Sequence, residues 1–200
     1  VTDLMLERFA QDNAAVRAHA LKAIQQAGRT DPAALQPKLH RLLAEGEDAI
    51  RRTAVEILLS TGKPEEVLTE ILQQSRSMVG WLRTRILNTL KTFGDDVLRP
   101  AVSLLEHPDE EVRMQALVLA EHFEDPRLIG PVVKLLADDD WWLRITACET
   151  LGKLKDERVV PHLVKALADP DARWAAIDAL GSIGGDSALR ALVDLLKDER

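Results

Sequence analysis

Tyrosine is absent from the 200 residues, and only three Phe, four Trp and one Cys occur. The β-branched residues are scattered through Leu- and Ala-rich stretches, without the alternating runs of a half-buried strand, so the composition leans to helix. The lone Cys148 excludes an internal disulfide framework and any zinc site built on several cysteines. No stretch reaches the roughly eighteen consecutive apolar residues of a membrane-spanning helix. No basic-then-apolar segment of the secretory kind opens the chain, and the expected compartment is the cytoplasm. A start at Val1, without Met, leads us to expect a piece of a longer protein.

A basic excess is lacking too. Residues 1–100 carry 14 Lys/Arg against 13 Asp/Glu, a balance of +1, whereas residues 101–200 carry 12 against 20, a balance of −8. Nucleic-acid binders neutralise phosphates with Lys and Arg, so a nucleic-acid partner is not expected, least of all in the second half.

What the chain does have is self-similarity, the first thing to look for in a Leu/Ala-rich sequence. The segments IGPVVKLLADDDWWLRITACETLGKL (129–154) and VPHLVKALADPDARWAAIDALGSIG (160–184) share one grammar. Each has an apolar helix ending in LLAD or ALAD, an acidic turn, and an apolar-Arg pair that opens a second helix. Anchoring on that arginine gives Arg17, Arg51, Arg83, Arg113, Arg144 and Arg173, at spacings of 34, 32, 30, 31 and 29. Three residues on stand Ala20, Ala54, Ile86, Ala116, Ala147 and Ala176; seven on stand Ile24, Leu58, Leu90, Ala120, Leu151 and Leu180. The residue before the anchor is Val16, Ile50, Leu82, Val112, Leu143 or the small Ala172. Positions −1, +3 and +7 share one face of a 3.6-residue period, so each second helix is expected to bury one stripe, with the small +3 residue allowing close helix approach.

The punctuation agrees. Gly28, Gly62, Gly94 and Gly184 fall eleven residues after their anchors, where a left-handed helix terminator is expected. Turns containing Pro32, Pro64, Pro108, Pro126 and Pro170 sit at helix starts, where Pro and Asp are both favourable. The expected hairpins are 2–27, 32–61, 64–93, 95–123, 125–154 and 156–184, followed by a half repeat at 186–198, in one repeat domain covering 1–200.

A period of ~30 with apolar-Arg-x-x-Ala-x-x-x-Leu in the second helix resembles the HEAT repeat, in the short form found in bacterial and phycobilisome-lyase-like proteins. Tetratricopeptide and ankyrin units have different periods and signatures, and neither signature occurs. The resemblance covers essentially the whole chain, is strongest over 95–198, and is weakest in the third unit, where Ile86 replaces the small residue. It implies an all-α fold: a right-handed α-α superhelix, the HEAT or armadillo-like solenoid, of about six hairpins plus one extra helix. A hairpin cannot bury its own apolar faces alone, so the unpartnered half repeat leads us to expect a solenoid that continues beyond it.

His19, His40, His107, His122 and His162 form no metal-binding spacing, and the His-Glu pairs that hold iron in some HEAT-repeat hydroxylases do not occur, so no metal and no cofactor is expected. Cys148 stands where Leu21, Val55, Leu87, Leu117 and Ile177 stand in the other repeats, and its own repeat offers no His base, so it reads as a small core residue. Gly184-Gly185 lacks the Gly-Lys-Ser/Thr of a phosphate loop and reads as a turn. Two roles are open to the anchor arginines. They could form a ladder of anion contacts, or each could pair with an acidic turn residue such as Asp12, Asp48, Asp109, Asp140 or Asp171 and tie repeats together, the structural role that the resemblance implies.

In a HEAT solenoid the second helices line the concave face. With −1, +3 and +7 buried, positions +1 and +5 should point outward. The +1 series is Ala18, Arg52, Thr84, Met114, Ile145, Trp174, and the +5 series is Lys22, Glu56, Asn88, Val118, Glu149, Asp178. The first three repeats are small or polar there, whereas the last three present Met114, Val118, Ile145 and Trp174 beside Glu149 and Asp178. Trp141 and Trp142 precede the fifth anchor, and Trp81 the third. Two readings stay open for these side chains: a protein-recognition groove, or a cover over the seams between repeats. The function expected is a non-enzymatic protein–protein interaction scaffold that takes a protein or peptide partner, basic or amphipathic, alongside other domains of the parent chain. The alternatives are enzymes of HEAT-like fold, a DNA glycosylase or a bilin lyase, or a plain structural spacer.

Overall fold

A computed structural model describes residues 32–45 and 48–198, together with the isolated helical positions Ala23 and Gln26. The expected first hairpin, 2–27, with Arg17, Asp12 and Gly28, lies outside the described residues. The described residues are helices joined by turns, bends and short irregular links, without a strand. The chain is all-α, a HEAT-like succession of helical hairpins, and it divides into two compact units, Val1–Pro100 and Ala101–Arg200.

The first unit holds α1 (Pro32–Glu45), α2 (Asp48–Thr61), α3 (Pro64–Arg76) and α4 (Gly80–Lys91), and the division between units falls within α5 (Asp95–Leu104). The second unit holds α6 (Glu110–Ala120), α7 (Ile129–Leu135), α8 (Trp141–Leu154), α9 (Val160–Ala166), α10 (Arg173–Ile183) and α11 (Gly185–Asp198). Short 3₁₀ turns, Pro126–Leu128 and Glu157–Val159, lead into α7 and α9. Both are opened by the same device: Asp125 accepts from the backbone N–H of Arg127, and Asp156 from that of Arg158. Each carboxylate also takes a bond from the arginine's own guanidinium. The doubled contact holds the Asp125 carboxyl below its ordinary range and the Asp156 carboxyl down at about 2.

In each unit the second helices stack on one another and the first helices pack against them. In the first unit α2 contacts α1, α3 and α4; in the second α8 contacts α6, α7 and α10. This arrangement corrects the expectation of one buried stripe per second helix. Leu143, Ala147 and Leu151 are buried on α8, but so are Thr146, Cys148, Thr150 and Gly152. A helix with three packed neighbours has no single core side. The polar residues this draws inward satisfy themselves locally. Thr53 donates to the carbonyl of Ala49 at 3.0 Å, Thr89 to Arg85 at 2.9 Å, Thr146 to Trp142 at 2.9 Å and Thr150 to Thr146 at 2.8 Å. A buried hydroxyl bonded one turn back carries no unpaired donor, which is why threonine serves here as a core residue.

The helix terminators also differ from the glycine pattern. Position +11 is left-handed in every repeat of the described residues from the third to the sixth: Gly94 (φ 54°), Glu124 (φ 51°), Lys155 (φ 52°) and Gly184 (φ 69°). Gly62, expected to join them, does not have a positive φ. Its helix stops because Pro64 forces Lys63 into the extended conformation at φ −75°, ψ 129°. Gly62 is needed for space instead, since a Cβ there would lie 2.6 Å from Cγ2 of Val67. Glu124 and Lys155 adopt a backbone that costs a non-glycine residue about 1 kcal/mol. Lys155→Gly is therefore expected to raise stability by at most about 0.5 kcal/mol after the added freedom of the unfolded chain is deducted. The check is urea unfolding followed by circular dichroism, where the midpoint should rise at unchanged slope; a fall would show that the left-handed strain is not what the substitution relieves.

Candidate functional site

On α8, Trp142, Ile145 and Glu149 are spaced three and four residues apart and share one face. Because α6, α8 and α10 stack in that order, their +1 and +5 positions form adjacent rows across the second unit. Trp174 is 73% exposed and Trp142 52%, while Met114, Val118 and Ile145 are half-buried and Glu149 and Asp178 exposed. Trp141, 51% exposed, meets Trp142 edge to face at 5.3 Å between ring centroids. The smaller apolar members are half-buried, whereas each indole leaves half or more of its surface open.

In the first unit the equivalent rows are polar. Arg52, Glu56, Thr84 and Asn88 are exposed. Arg52 lies over the Phe93 ring at 5.6 Å and Arg85 over Trp81 at 6.0 Å, each within cation–π range. Arg85, which the repeat register did not single out, donates to Asp48 from Nε at 3.1 Å and from Nη2 at 2.9 Å, and so ties α4 to α2. A shallow groove of about 400 Å³ lies along Asp48, Ala49, Arg52, Arg85, Asn88 and Thr92.

The anchor arginines serve mainly as ties inside each unit. Arg51 is 1% exposed; its Nε donates to the carbonyl of Leu43 at 2.9 Å and its Nη1 to Asp48 at 2.6 Å. Arg113 forks onto both oxygens of Asp138 at 2.8 Å, and its Nη1 reaches the carbonyls of His107 and Pro108. Arg144 repeats the arrangement, donating to Asp169, to Asp171 at 3.0 Å, and to the carbonyls of Asp138 and Asp139. Arg173 donates to the carbonyl of Leu167 at 2.9 Å, and Arg83 is half-buried on α4. Of the acidic turn residues expected as partners, Asp48 and Asp171 do pair with anchors, Arg51 and Arg144, whereas Asp109 and Asp140 are helix caps that accept from the N–H groups of Glu111 and Leu143. The carboxylates that pair with Arg113 and Arg144 come from the next repeat, 25 residues on. The tie between repeats was expected, but Asp138 and Asp169 were not singled out as the carboxylates, because their choice depends on how far successive hairpins are rotated. The Arg144 contact holds the Asp169 carboxyl below its ordinary value, helped by the backbone N–H groups of Asp171 and Ala172.

Burial pushes the Cys148 thiol up to about 12, which leaves it protonated and unreactive at neutral pH. Among the described residues no group of three or more His, Cys, Asp or Glu is placed to hold a metal ion, and no helix is long and apolar enough to cross a membrane.

The chain belongs to the HEAT-repeat family, whose model matches residues 98–173 and 132–200. No curated protein matches it. Among solved structures it is similar to human deoxyhypusine hydroxylase in complex with glycerol, at 22% identity and a TM-score of 0.46, over 100% of this chain and 79% of that one. It is similar also to Escherichia coli YibA, at 19% identity and 0.42, over 92% and 67% of the two chains. A third is the CpcE–CpcF complex of phycocyanin lyase from Nostoc, at 16% identity and 0.36, over 96% and 92%.

Proposed function

We propose that the chain is a non-enzymatic interaction scaffold, cytoplasmic, that holds a protein or peptide on the face formed by α6, α8 and α10. The observation that carries this reading is the row of open indoles, Trp142 and Trp174 with Trp141 beside them, next to half-buried Met114, Val118 and Ile145 and flanked by the exposed carboxylates of Glu149 and Asp178. Large aromatics on a rigid helical platform supply contact area at little conformational cost, and such residues dominate interface energetics. The carboxylates favour an amphipathic ligand with basic residues on its flank, which the balance of −8 in residues 101–200 (12 basic, 20 acidic) also favours. The ion-paired arginines support a structural role for the ladder, and the protonated Cys148 supports a scaffold over a thiol enzyme.

The test is selection of binders from a displayed peptide library, followed by titration of the winners against wild type and the double variant Trp142→Ala/Trp174→Ala. Loss of two aromatic contacts of about 1–2 kcal/mol each should weaken binding 30-fold or more while the helical circular dichroism is unchanged. Winners that bind both proteins equally would place the site elsewhere.

A further inference from the structure

Tryptophan stands two residues before the anchor in the third and fifth repeats, as Trp81 and Trp142, and in no other repeat. The two indoles hold the same place in their helices, each being the second residue, of α4 and of α8. Each of these helices stacks on the second helix of the preceding repeat, α4 on α2 and α8 on α6. Both of those helices open on a carboxylate, Asp48 and Glu110, three residues before their own anchors Arg51 and Arg113. The surroundings of Trp81 are therefore a template for those of Trp142.

Around Trp81 the template is complete. Arg85, one turn on, lies over the ring at 6.0 Å, and its Nε and Nη2 both donate to Oδ1 of Asp48. One guanidinium thus joins ring and carboxylate, with 45% of the Arg85 side chain still open to solvent. Around Trp142 the ring and the carboxylate recur, but the sequence puts no cation in the place of Arg85. Thr146 stands there, 7% exposed, its hydroxyl turned back onto the carbonyl of Trp142. Trp142 and Glu110 are both exposed. The anchors on α6 and α8 are committed elsewhere, Arg113 to Asp138 and Arg144 to Asp169 and Asp171. Position −3 differs as well: Gly80 of the third repeat is Trp141 in the fifth, whose ring meets Trp142 at 74° and adds a second aromatic wall.

We propose that an arginine of the bound protein or peptide takes this place, stacked on Trp142 and paired with Glu110 as Arg85 is stacked on Trp81 and paired with Asp48. It rests on the reading of the α6, α8 and α10 face as the binding surface, and adds the residue type the ligand carries and its seat. Arginine fits better than lysine, because a planar guanidinium stacks on an indole while its edge donates to a carboxylate. Glu149 and Asp178 lie farther along the face and are left for the ligand's other basic residues.

The probes are the peptides selected from the displayed library, resynthesised with each arginine replaced in turn by citrulline, which keeps the planar shape and removes the charge. One such replacement is expected to weaken binding to wild type about tenfold or more, and binding to Glu110→Gln less than about threefold. Glu149→Gln should leave that ratio at its wild-type value. Glu110 is exposed on the first turn of α6, so the circular dichroism of its variant should match wild type. Selected peptides that bind Trp142→Ala/Trp174→Ala as well as wild type would overturn this proposal and the binding face together. Peptides that need the indoles but carry no arginine coupled to Glu110 would overturn this proposal alone. So would a dimer of the unliganded protein in sedimentation that Glu110→Gln dissolves, since the arginine would then come from a second copy.

Discussion

Gly152→Leu is expected to destabilise the protein by about 3 kcal/mol or more, with loss of the cooperative unfolding of the second unit. The glycine sits where α8 and α10 cross, and the atom an added Cβ would meet at 2.8 Å is the Cα of Ala179. A backbone atom cannot rotate away as a side-chain terminus can, so relief requires the two helices to separate. Separation opens the seam that buries Cys148, Leu151, Ala176 and Leu180. Even Gly152→Ala should cost roughly 1–2 kcal/mol, although alanine is the better helix former by about 1 kcal/mol. Gly181→Ala supplies the internal control. It has the same place in the repeat and the same type of helix, but open space around its Cβ, and it should stabilise by about 0.5–1 kcal/mol. Urea unfolding of the two alanine variants, side by side, separates the contributions. Equal shifts of the same sign would refute the close-packing account.

That pair also shows what can and cannot be read from a repeat sequence. From α1 onward the anchors, helix pairs and turn prolines are legible because each reflects a local requirement: a 3.6-residue period, a fixed φ, a cap. The left-handed position eleven residues after each anchor was visible where glycine marks it, at Gly94 and Gly184. It was hidden where Glu124 and Lys155 tolerate the strain, and Gly62 suggested it where proline does the work instead. Three-sided packing of the second helices was not legible from −1, +3 and +7 alone, since Thr146 and Thr150 look like surface residues until their hydroxyls are seen bonding one turn back. The outward positions were legible in part. Trp174, Glu149 and Asp178 are open, whereas Met114, Val118 and Ile145 are shared with the seams, because how much of a side chain the seam takes depends on the size of its neighbour on the next helix.

Long-range pairing was the least legible feature and makes the second large prediction. Arg144 bonds four groups from two successive turns: the carbonyls of Asp138 and Asp139 on one side, and the carboxylates of Asp169 and Asp171 on the other. Arg144 is 17% exposed and Asp169 21%, so removing the guanidinium strands a largely desolvated carboxylate and two carbonyls. Arg144→Met, which keeps the apolar stem, should lower stability by about 2–3 kcal/mol at neutral pH. Arg144→Lys should recover less than half of that, because an ammonium cannot span both turns with fixed geometry. The pH dependence has a definite sign. The folded carboxyl of Asp169 titrates below its ordinary value of 3.8, so the stabilisation it contributes is fully present above that value and is lost as pH falls through the lower, folded one. The gap between wild type and Arg144→Met should therefore be constant from pH 7 to about 5 and narrow on further acidification. In a double-mutant cycle with Asp169→Asn, a coupling of about 1–2 kcal/mol at pH 7 should shrink in the same window. A gap that persists unchanged at pH 3 would mean that Arg144 acts through its packing and its carbonyl bonds alone, and that the cross-repeat ion pair adds nothing to the stack.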